Sequence, residues 1–116
     1  MNMPDIKERL ADFAAARDWD QFHSPKNLSM GLAAEAAELL EIFQWLTEEQ
    51  SHGLVNDEKE MRHVGEEIAD VFIYLVRLAD KLNVDIEKAV LEKIEVNESR
   101  YPVEMSKGNS TKFSKR

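Results

Sequence analysis

The sequence contains no cysteine, so neither a disulfide framework nor a thiolate metal site is available to it. This absence fits a reducing cytoplasm, and we expect a cytoplasmic protein. An apolar run long enough to cross a membrane is also absent, and the segment Met1 to Asp12 lacks a basic stretch followed by an apolar one. We therefore expect neither a membrane span nor a signal peptide.

Helix-breaking residues are scarce, with three prolines and four glycines in 116 residues. Apolar residues make up 43% of the chain, which is enough for one hydrophobic core and indicates a single domain. The formal net charge is −8, and a surface of that sign repels the phosphate backbone of nucleic acids. We therefore expect no nucleic-acid partner.

Basic residues are missing from a long central stretch, since no lysine or arginine occurs between Lys26 and Lys59. The same stretch contains seven acidic residues: Glu35, Glu38, Glu41, Glu48, Glu49, Asp57 and Glu58. Like charges crowded together without counter-ions are costly, and a bound cation is one way to relieve that cost.

Apolar residues recur at steps of three and four and predict four main helices, with no candidate strand. The predicted helices cover residues 5–16, 27–46, 61–82 and 86–99. Segment 17–27 is predicted to be a structured loop, because polar and aromatic residues alternate there and Pro25 interrupts a helix. Thr47, followed by Gln50, resembles a capping box that opens a further turn before a connection over residues 51–57.

The third predicted helix is apolar on several sides over residues 68–79, more than a four-helix monomer of this size buries. The sequence therefore predicts an all-α four-helix bundle that packs against another copy of the chain. The bundle is predicted to form a single domain over residues 1–104. Residues 105–116, rich in Ser, Lys, Asn and Gly, are predicted to form a flexible tail.

Two pairs of carboxylates interrupt the apolar stripes of the predicted helices. Glu35 and Glu38 are three residues apart on the second helix, and Glu67 and Asp70 are three apart on the third. Residues with this spacing project from one side of a helix, so packed helices would bring the two pairs face to face. Burying a lone carboxylate is expensive unless it is paired or bound to a metal, and oxygen ligands suit Mg²⁺, Mn²⁺ or Ca²⁺.

Two other interpretations compete with this metal site. Acidic helices are common, so each acid could lie on a solvated face or pair with a neighbouring base. A di-iron bundle would need two Glu-x-x-His motifs, whereas the chain has only one, from Glu60 to His63. We interpret that single motif as coincidental and its histidine as a surface or capping residue.

Two long segments carry motifs that occur together in a known family. The first reads RDWDQFHSPKNLSMGLAAEAAELLEIFQW, and the second reads GEEIADVFIYLVRLADKLNVDIEKAVLEKIEVNESRYP. They resemble the MazG-like all-α nucleoside triphosphate pyrophosphohydrolases, and the dCTP pyrophosphatase branch in particular, over residues 6–102. The resemblance implies Mg²⁺-dependent hydrolysis of a deoxynucleotide, dCTP or a modified pyrimidine first, to monophosphate and pyrophosphate. Such an activity would sanitise the nucleotide pool.

The resemblance also implies roles for individual residues. The metal ligands would be Glu35, Glu38, Glu67 and Asp70. Glu41 and Glu66 are candidates for the general base or for supporting the ligands, and they could equally be ordinary surface acids. The nucleoside would contact Trp19, Asp20, Gln21, Phe22, His23, Trp45 and Tyr74. The aromatic residues among them could instead belong to the core, and His23 could contact a phosphate or form a hydrogen bond within its own loop. Lys93, Asn97 and Arg100 form one polar row that would meet the triphosphate, or would pair with the many acids.

One departure from the resemblance concerns the base. Relatives in the dCTP branch often carry a histidine on the first helix, where this chain has Leu10. Base preference therefore stays open, and a house-cleaning enzyme of broad specificity is the nearest alternative. A non-catalytic helical oligomerisation module is the alternative from another class. Members of the family act as dimers or tetramers, so we expect a homo-oligomer.

Overall fold

The structure is a computed structural model, and it describes residues 2–112 and 114. Within those residues every regular element is helical and no strand occurs, so the prediction of an all-α fold is confirmed. The α-helices are α1 (Met3–Ala16), α2 (Pro25–Phe43), α3 (Glu48–Gly53), α4 (Glu58–Lys81), α5 (Ile86–Arg100) and α6 (Val103–Ser106). Two 3₁₀ turns cover Asp20–Phe22 and Leu54–Asn56.

The second helix differs from its predicted bounds at both ends. It begins at Pro25 rather than Asn27, because the first turn of a helix tolerates proline and needs no N–H there. The Oγ of Ser24 caps it by accepting a hydrogen bond from the backbone N–H of Asn27 at 3.1 Å. The helix ends at Phe43, short of the predicted Leu46.

The capping box at Thr47 is confirmed. The Thr47 Oγ1 accepts from the backbone N–H of Gln50 at 3.1 Å, and the Gln50 Oε1 accepts from the backbone N–H of Thr47 at 2.9 Å. The helix that it opens, α3, continues to Gly53 and passes into a 3₁₀ turn. The predicted connection over residues 51–57 is therefore mostly helical, since residues 51–53 complete α3 and residues 54–56 form the 3₁₀ turn.

The chain divides into two compact units, Met1–Asn83 with helices α1 to α4 and Val84–Arg116 with α5 and α6. The predicted division into a domain over 1–104 and a flexible tail over 105–116 stays a prediction. The short helix α6 (Val103–Ser106) follows Pro102 and extends two residues into that predicted tail. The tail residues Phe113, Lys115 and Arg116 lie outside the described residues.

In the first unit, α4 packs along α2 and also contacts α1. Leu28 on α2 and Val76 on α4 are fully buried, and burying an aliphatic side chain of this kind contributes about 1.5–3 kcal/mol. The two helices approach closely at Gly31, where an added Cβ would overlap the ring of Tyr74. Glycine at this position therefore lets the Tyr74 ring lie directly on the backbone of α2.

Helix α4 also carries apolar side chains that the chain leaves exposed. Ile68 is 53% exposed and Leu75 is 40% exposed, and Leu82, directly after the helix, is 53% exposed. Part of the apolar surface from which a partner chain is predicted is therefore exposed in the single chain, and the oligomer stays a prediction. Among the described residues, no helix combines the length and the apolar content that a membrane crossing requires.

Candidate metal and nucleotide site

The four predicted metal ligands lie on the two helices that pack most extensively, Glu35 and Glu38 on α2 and Glu67 and Asp70 on α4. One carboxylate oxygen from each of Glu35, Glu38 and Glu67 lies within 4.8 Å of the others. Asp70 stands outside this group of three, but it is half-buried and its charge raises the pKa of Glu35. The helix packing therefore joins two acid pairs that are far apart in sequence.

The carboxylate cluster contains oxygens that no hydrogen bond satisfies. The Oε2 atoms of Glu35 and Glu67 are buried and have no hydrogen-bond partner. The side chain of Glu67 is only 13% exposed, and its Oε1 lies 3.5 Å from the Nε2 of His63. Buried carboxylate oxygens without a partner are costly, and a divalent cation is the group that would satisfy them both.

The pKa values in the cluster reflect the same crowding. Burial is the largest cause that raises the pKa of Glu35, followed by the neighbouring Glu38 carboxyl. Burial also raises the pKa of Glu67, again with Glu38 as the next cause. Because ionisation is unfavourable where these carboxyls lie, the site fits a positive ion, which would lower the pKa of both Glu35 and Glu67.

An open cleft of about 450 Å³ adjoins the cluster. Its lining residues are Glu38, Glu41, Ile42, Glu60, His63 and Glu67. Glu41 thus lies beside the predicted metal ligands, whereas Glu66 is exposed on α4 and does not line the cleft. Glu60 and His63, interpreted from the sequence as a coincidental motif, both face this cleft.

The aromatic loop, residues 17–24, is built mostly by local hydrogen bonds. Asp18 adopts a left-handed conformation with φ 57°, and the backbone N–H of Trp19 donates to the carbonyl of Ala14 at 2.9 Å. The side-chain amide of Gln21 donates to the carbonyl of Asp18 at 2.9 Å. These bonds turn the chain back onto the end of α1, so Trp19 lies beside that helix.

A second, largely apolar cavity of about 270 Å³ lies among α1, the aromatic loop, α2 and α4. Its walls include Leu10, Phe13, Trp19, His23, Tyr74 and Arg77. The Trp19 ring meets the Phe13 ring edge to face, with centroids 5.6 Å apart. Three of the residues predicted to hold the nucleoside, Trp19, His23 and Tyr74, are therefore brought together around one cavity.

The other predicted nucleotide contacts are placed elsewhere. Trp45 is 86% exposed and Phe22 is 58% exposed, and neither lines this cavity. Asp20 bonds to Arg77 and Lys81 on α4. Lys93, Asn97 and Arg100 lie on α5 in the second unit, so their contact with a triphosphate stays a prediction.

Comparison with known proteins identifies the family. A model of the MazG-like family matches residues 32–115, which is most of the chain and includes all four predicted metal ligands. The chain belongs to the MazG-like family. The resemblance inferred from its sequence motifs is thereby confirmed.

Named relatives of this MazG-like chain are enzymes. It is 43% identical over 112 residues to dCTP pyrophosphatase 1 of Rattus norvegicus and 42% identical over the same length to that of Homo sapiens. These matches cover 97% of the chain but 66% of each relative, so the chain spans just under two thirds of their length. A crystal structure of a pyrophosphatase from Archaeoglobus fulgidus is 40% identical, with a TM-score of 0.79 over 86% of this chain and 92% of that one.

The MazG-like chain contains one site residue that sequence reasoning missed altogether. Arg77 is 5% exposed, its Nη2 donates to Asp20 Oδ1 at 2.8 Å, and it lies 3.2 Å from the Nδ1 of His23. Burial and the charge of Arg77 lower the pKa of His23, which favours a neutral imidazole at pH 7. The available signal was a lone basic residue within the apolar run 68–79.

Proposed function

We propose that the protein is a Mg²⁺-dependent nucleoside triphosphate pyrophosphohydrolase that acts first on dCTP or a modified pyrimidine deoxynucleotide. The products would be the nucleoside monophosphate and pyrophosphate. The observation that carries this proposal is the pair of buried, unpartnered carboxylate oxygens of Glu35 and Glu67, which come from two packed helices. The names of the relatives, dCTP pyrophosphatase 1, support the choice of substrate.

In this proposal the cluster of Glu35, Glu38, Glu67 and Asp70 holds the cation. When bound, Mg²⁺ would neutralise triphosphate charge and lower the pKa of the attacking water. Glu41 lines the same cleft as Glu38 and Glu67, so it is the better placed of the two candidate bases, ahead of Glu66. A carboxylate in that position can accept the proton that the attacking water loses.

The cavity beside the aromatic loop is the proposed nucleoside pocket. The flat faces of Trp19 and Tyr74 suit stacking of a base, and Leu10 adds an apolar wall. Asp20, Gln21, Phe22 and Trp45 are proposed contacts from the family resemblance, as are Lys93, Asn97 and Arg100 for the triphosphate. An apolar wall makes few hydrogen bonds to a base, which is the observation that favours broad specificity as the second candidate function.

A single assay tests the reaction. The purified protein is incubated with each common nucleoside triphosphate and 5-methyl-dCTP, with Mg²⁺ or with excess chelator, and the products are separated by anion exchange. Monophosphate and pyrophosphate from pyrimidine deoxynucleotides, abolished by chelator, are expected. Equal turnover of purine and pyrimidine nucleotides would favour the broad-specificity enzyme. Diphosphate and phosphate would contradict the proposal, and no turnover would favour the non-catalytic helical module.

We further propose that the protein acts in the cytoplasm, in nucleotide-pool sanitation, as a homodimer or homotetramer. Uncovered apolar side chains on α4 support the assembly, because contiguous exposed apolar surface marks interaction sites.

Leu75→Asp is expected to dissociate the assembly, since a buried unpaired charge is costly in an interface. Light scattering on the size-exclusion eluate measures the mass. Val55→Asp, at a 69% exposed position outside α4, is the matched control, and an unchanged mass for Leu75→Asp would contradict the prediction.

Gly31→Ala tests whether Tyr74 belongs to the proposed nucleoside pocket. The added Cβ would overlap the Tyr74 ring and push it toward the cavity that Tyr74 lines. Overpacking costs about 1–3 kcal/mol. The higher helix propensity of alanine offsets about 1 kcal/mol of that cost. We therefore expect a small loss of stability in urea unfolding and a clear rise in KM for the nucleotide.

Gly65→Ala is the matched control for Gly31→Ala, because a Cβ at Gly65 meets nothing within 4 Å. It keeps the change of glycine to alanine in a helix but leaves Tyr74 in place. An equal KM for both variants would show that Tyr74 is not part of the nucleotide site.

A further inference from the structure

Arg77 is the only charged or polar side chain that is buried among the residues the structure describes. It lies on α4 within an apolar run, and the proposed function gives it no role. A buried guanidinium is expensive unless its donors are satisfied, so its partners indicate what it does.

The partners of Arg77 lie on two different elements. On the aromatic loop, Asp20 accepts from Nη2 at 2.8 Å and His23 Nδ1 lies 3.2 Å from the same nitrogen. On α4 itself, Asp80 Oδ2 is 3.5 Å from Nη1. The planar guanidinium spreads its donors over separate nitrogens, so Arg77 contacts the loop through Nη2 and Asp80 through Nη1.

These contacts tie the aromatic loop to α4. Asp20 and His23 are 57 and 54 residues from Arg77 in sequence, and Lys81 adds a bond to Asp20 at 3.0 Å. The other hydrogen bonds given above for the loop run to α1, to α2 or within the loop. Trp19 precedes Asp20 in the loop segment that follows α1, and its ring forms part of the cavity wall.

We infer that Arg77 is a positioning residue, which holds the aromatic loop against α4 and thereby fixes Trp19 and His23 at the wall of the apolar cavity. The loop engages the Nη2 of Arg77, whereas its Nε is buried without a hydrogen-bond partner, and the positioning role itself needs no contact between Arg77 and a ligand. The inference concerns the order of the loop, and it rests on the proposed function only where nucleotide binding is measured.

The position of the loop can be measured without any substrate. The chain has two tryptophans, so Trp45→Phe leaves Trp19 as the only indole. In that background, Asp20→Asn and Arg77→Lys are expected to raise acrylamide quenching of Trp19 at least twofold. Asp80→Asn is the matched control, since it removes a carboxylate from the same guanidinium without touching the loop. Asp20 is 47% exposed, so its replacement keeps the test valid if Arg77 variants fail to fold.

Kinetics with dCTP, in chains that retain Trp45, form the second arm. Asp20→Asn and Arg77→Lys are expected to raise KM about tenfold, with kcat changed less than threefold, while Asp80→Asn keeps the wild-type KM. Unchanged quenching in folded Asp20→Asn and Arg77→Lys would overturn the inference. Increased quenching with an unchanged KM would support the positioning role of Arg77 and count against the cavity as the nucleoside pocket.

Discussion

Replacing Glu67 with glutamine is expected to remove nearly all Mg²⁺-dependent turnover while making the metal-free protein more stable. A divalent cation supplies several kcal/mol of transition-state stabilisation, and each ~1.4 kcal/mol is tenfold in rate. We therefore expect kcat/KM to fall about a hundredfold or more. The gain in stability follows because Glu67 adds one of the mutually repelling charges next to Glu35 and Glu38.

The sign of the stability change follows from the pKa of Glu67. Its pKa is raised in the folded chain, so its ionisation at neutral pH opposes folding, and this cost disappears below the ordinary carboxyl pKa. Thermal unfolding with excess chelator measures the change at pH 7.5. Added Mg²⁺ is expected to raise the melting temperature of the wild type and to have little effect on Glu67→Gln.

Glu8→Gln provides the control for Glu67→Gln. It removes one acid from an exposed position on α1, which carries none of the clustered carboxylates, and should change neither turnover nor the response to Mg²⁺. If Glu67→Gln kept full activity, or lost activity together with stability in chelator, the proposed cation site would be contradicted.

Removing the Trp19 ring is expected to give the second largest effect. Stacking of a base on an aromatic ring is worth about 1–3 kcal/mol, so Trp19→Ala should raise the KM for dCTP roughly 5- to 150-fold. The effect should fall mainly on KM, because the ring contacts the nucleoside and lies away from the carboxylates in the proposed arrangement. Steady-state kinetics at saturating Mg²⁺ measures KM and kcat separately.

Trp45→Ala is the comparison for Trp19→Ala. The family resemblance places Trp45 in the nucleoside pocket, yet its ring is 86% exposed and outside the cavity that Trp19 lines. A KM close to the wild type for Trp45→Ala would limit the nucleoside site to the cavity that Trp19 lines, and a raised KM would support the contact that the family resemblance implies. If Trp45→Ala raised KM and Trp19→Ala did not, the nucleoside would bind away from the aromatic loop.

Local features of this chain were predictable from sequence because they depend on spacing. Steps of three and four place Glu35 with Glu38 and Glu67 with Asp70, and a helical bundle leaves few ways to arrange them. The capping box at Thr47 was readable for the same reason. The predicted start of α2 at Asn27 is wrong, because proline breaks the interior of a helix but is tolerated in its first turn, where Pro25 lies.

Features that depend on distant contacts were not predictable. The bond between Asp20 and Arg77 joins residues 57 positions apart, and no periodic pattern relates an acid in a loop to a base in an apolar helix. The sequence alone indicates only a coincidental pair at Glu60 and His63. Only the packing of α4 along α2 reveals the cleft that they share with Glu38.

The crowded carboxylates also bear on how long the protein persists in a cell. Proteases cleave chains that open transiently, and their rate follows the population of the open form when opening is fast. A ligand that binds only the folded chain lowers that population. With Mg²⁺ bound at the cluster as proposed, depletion of free magnesium would shorten the lifetime of this protein as well as slow its catalysis, and the lifetime of Glu67→Gln would not respond to magnesium.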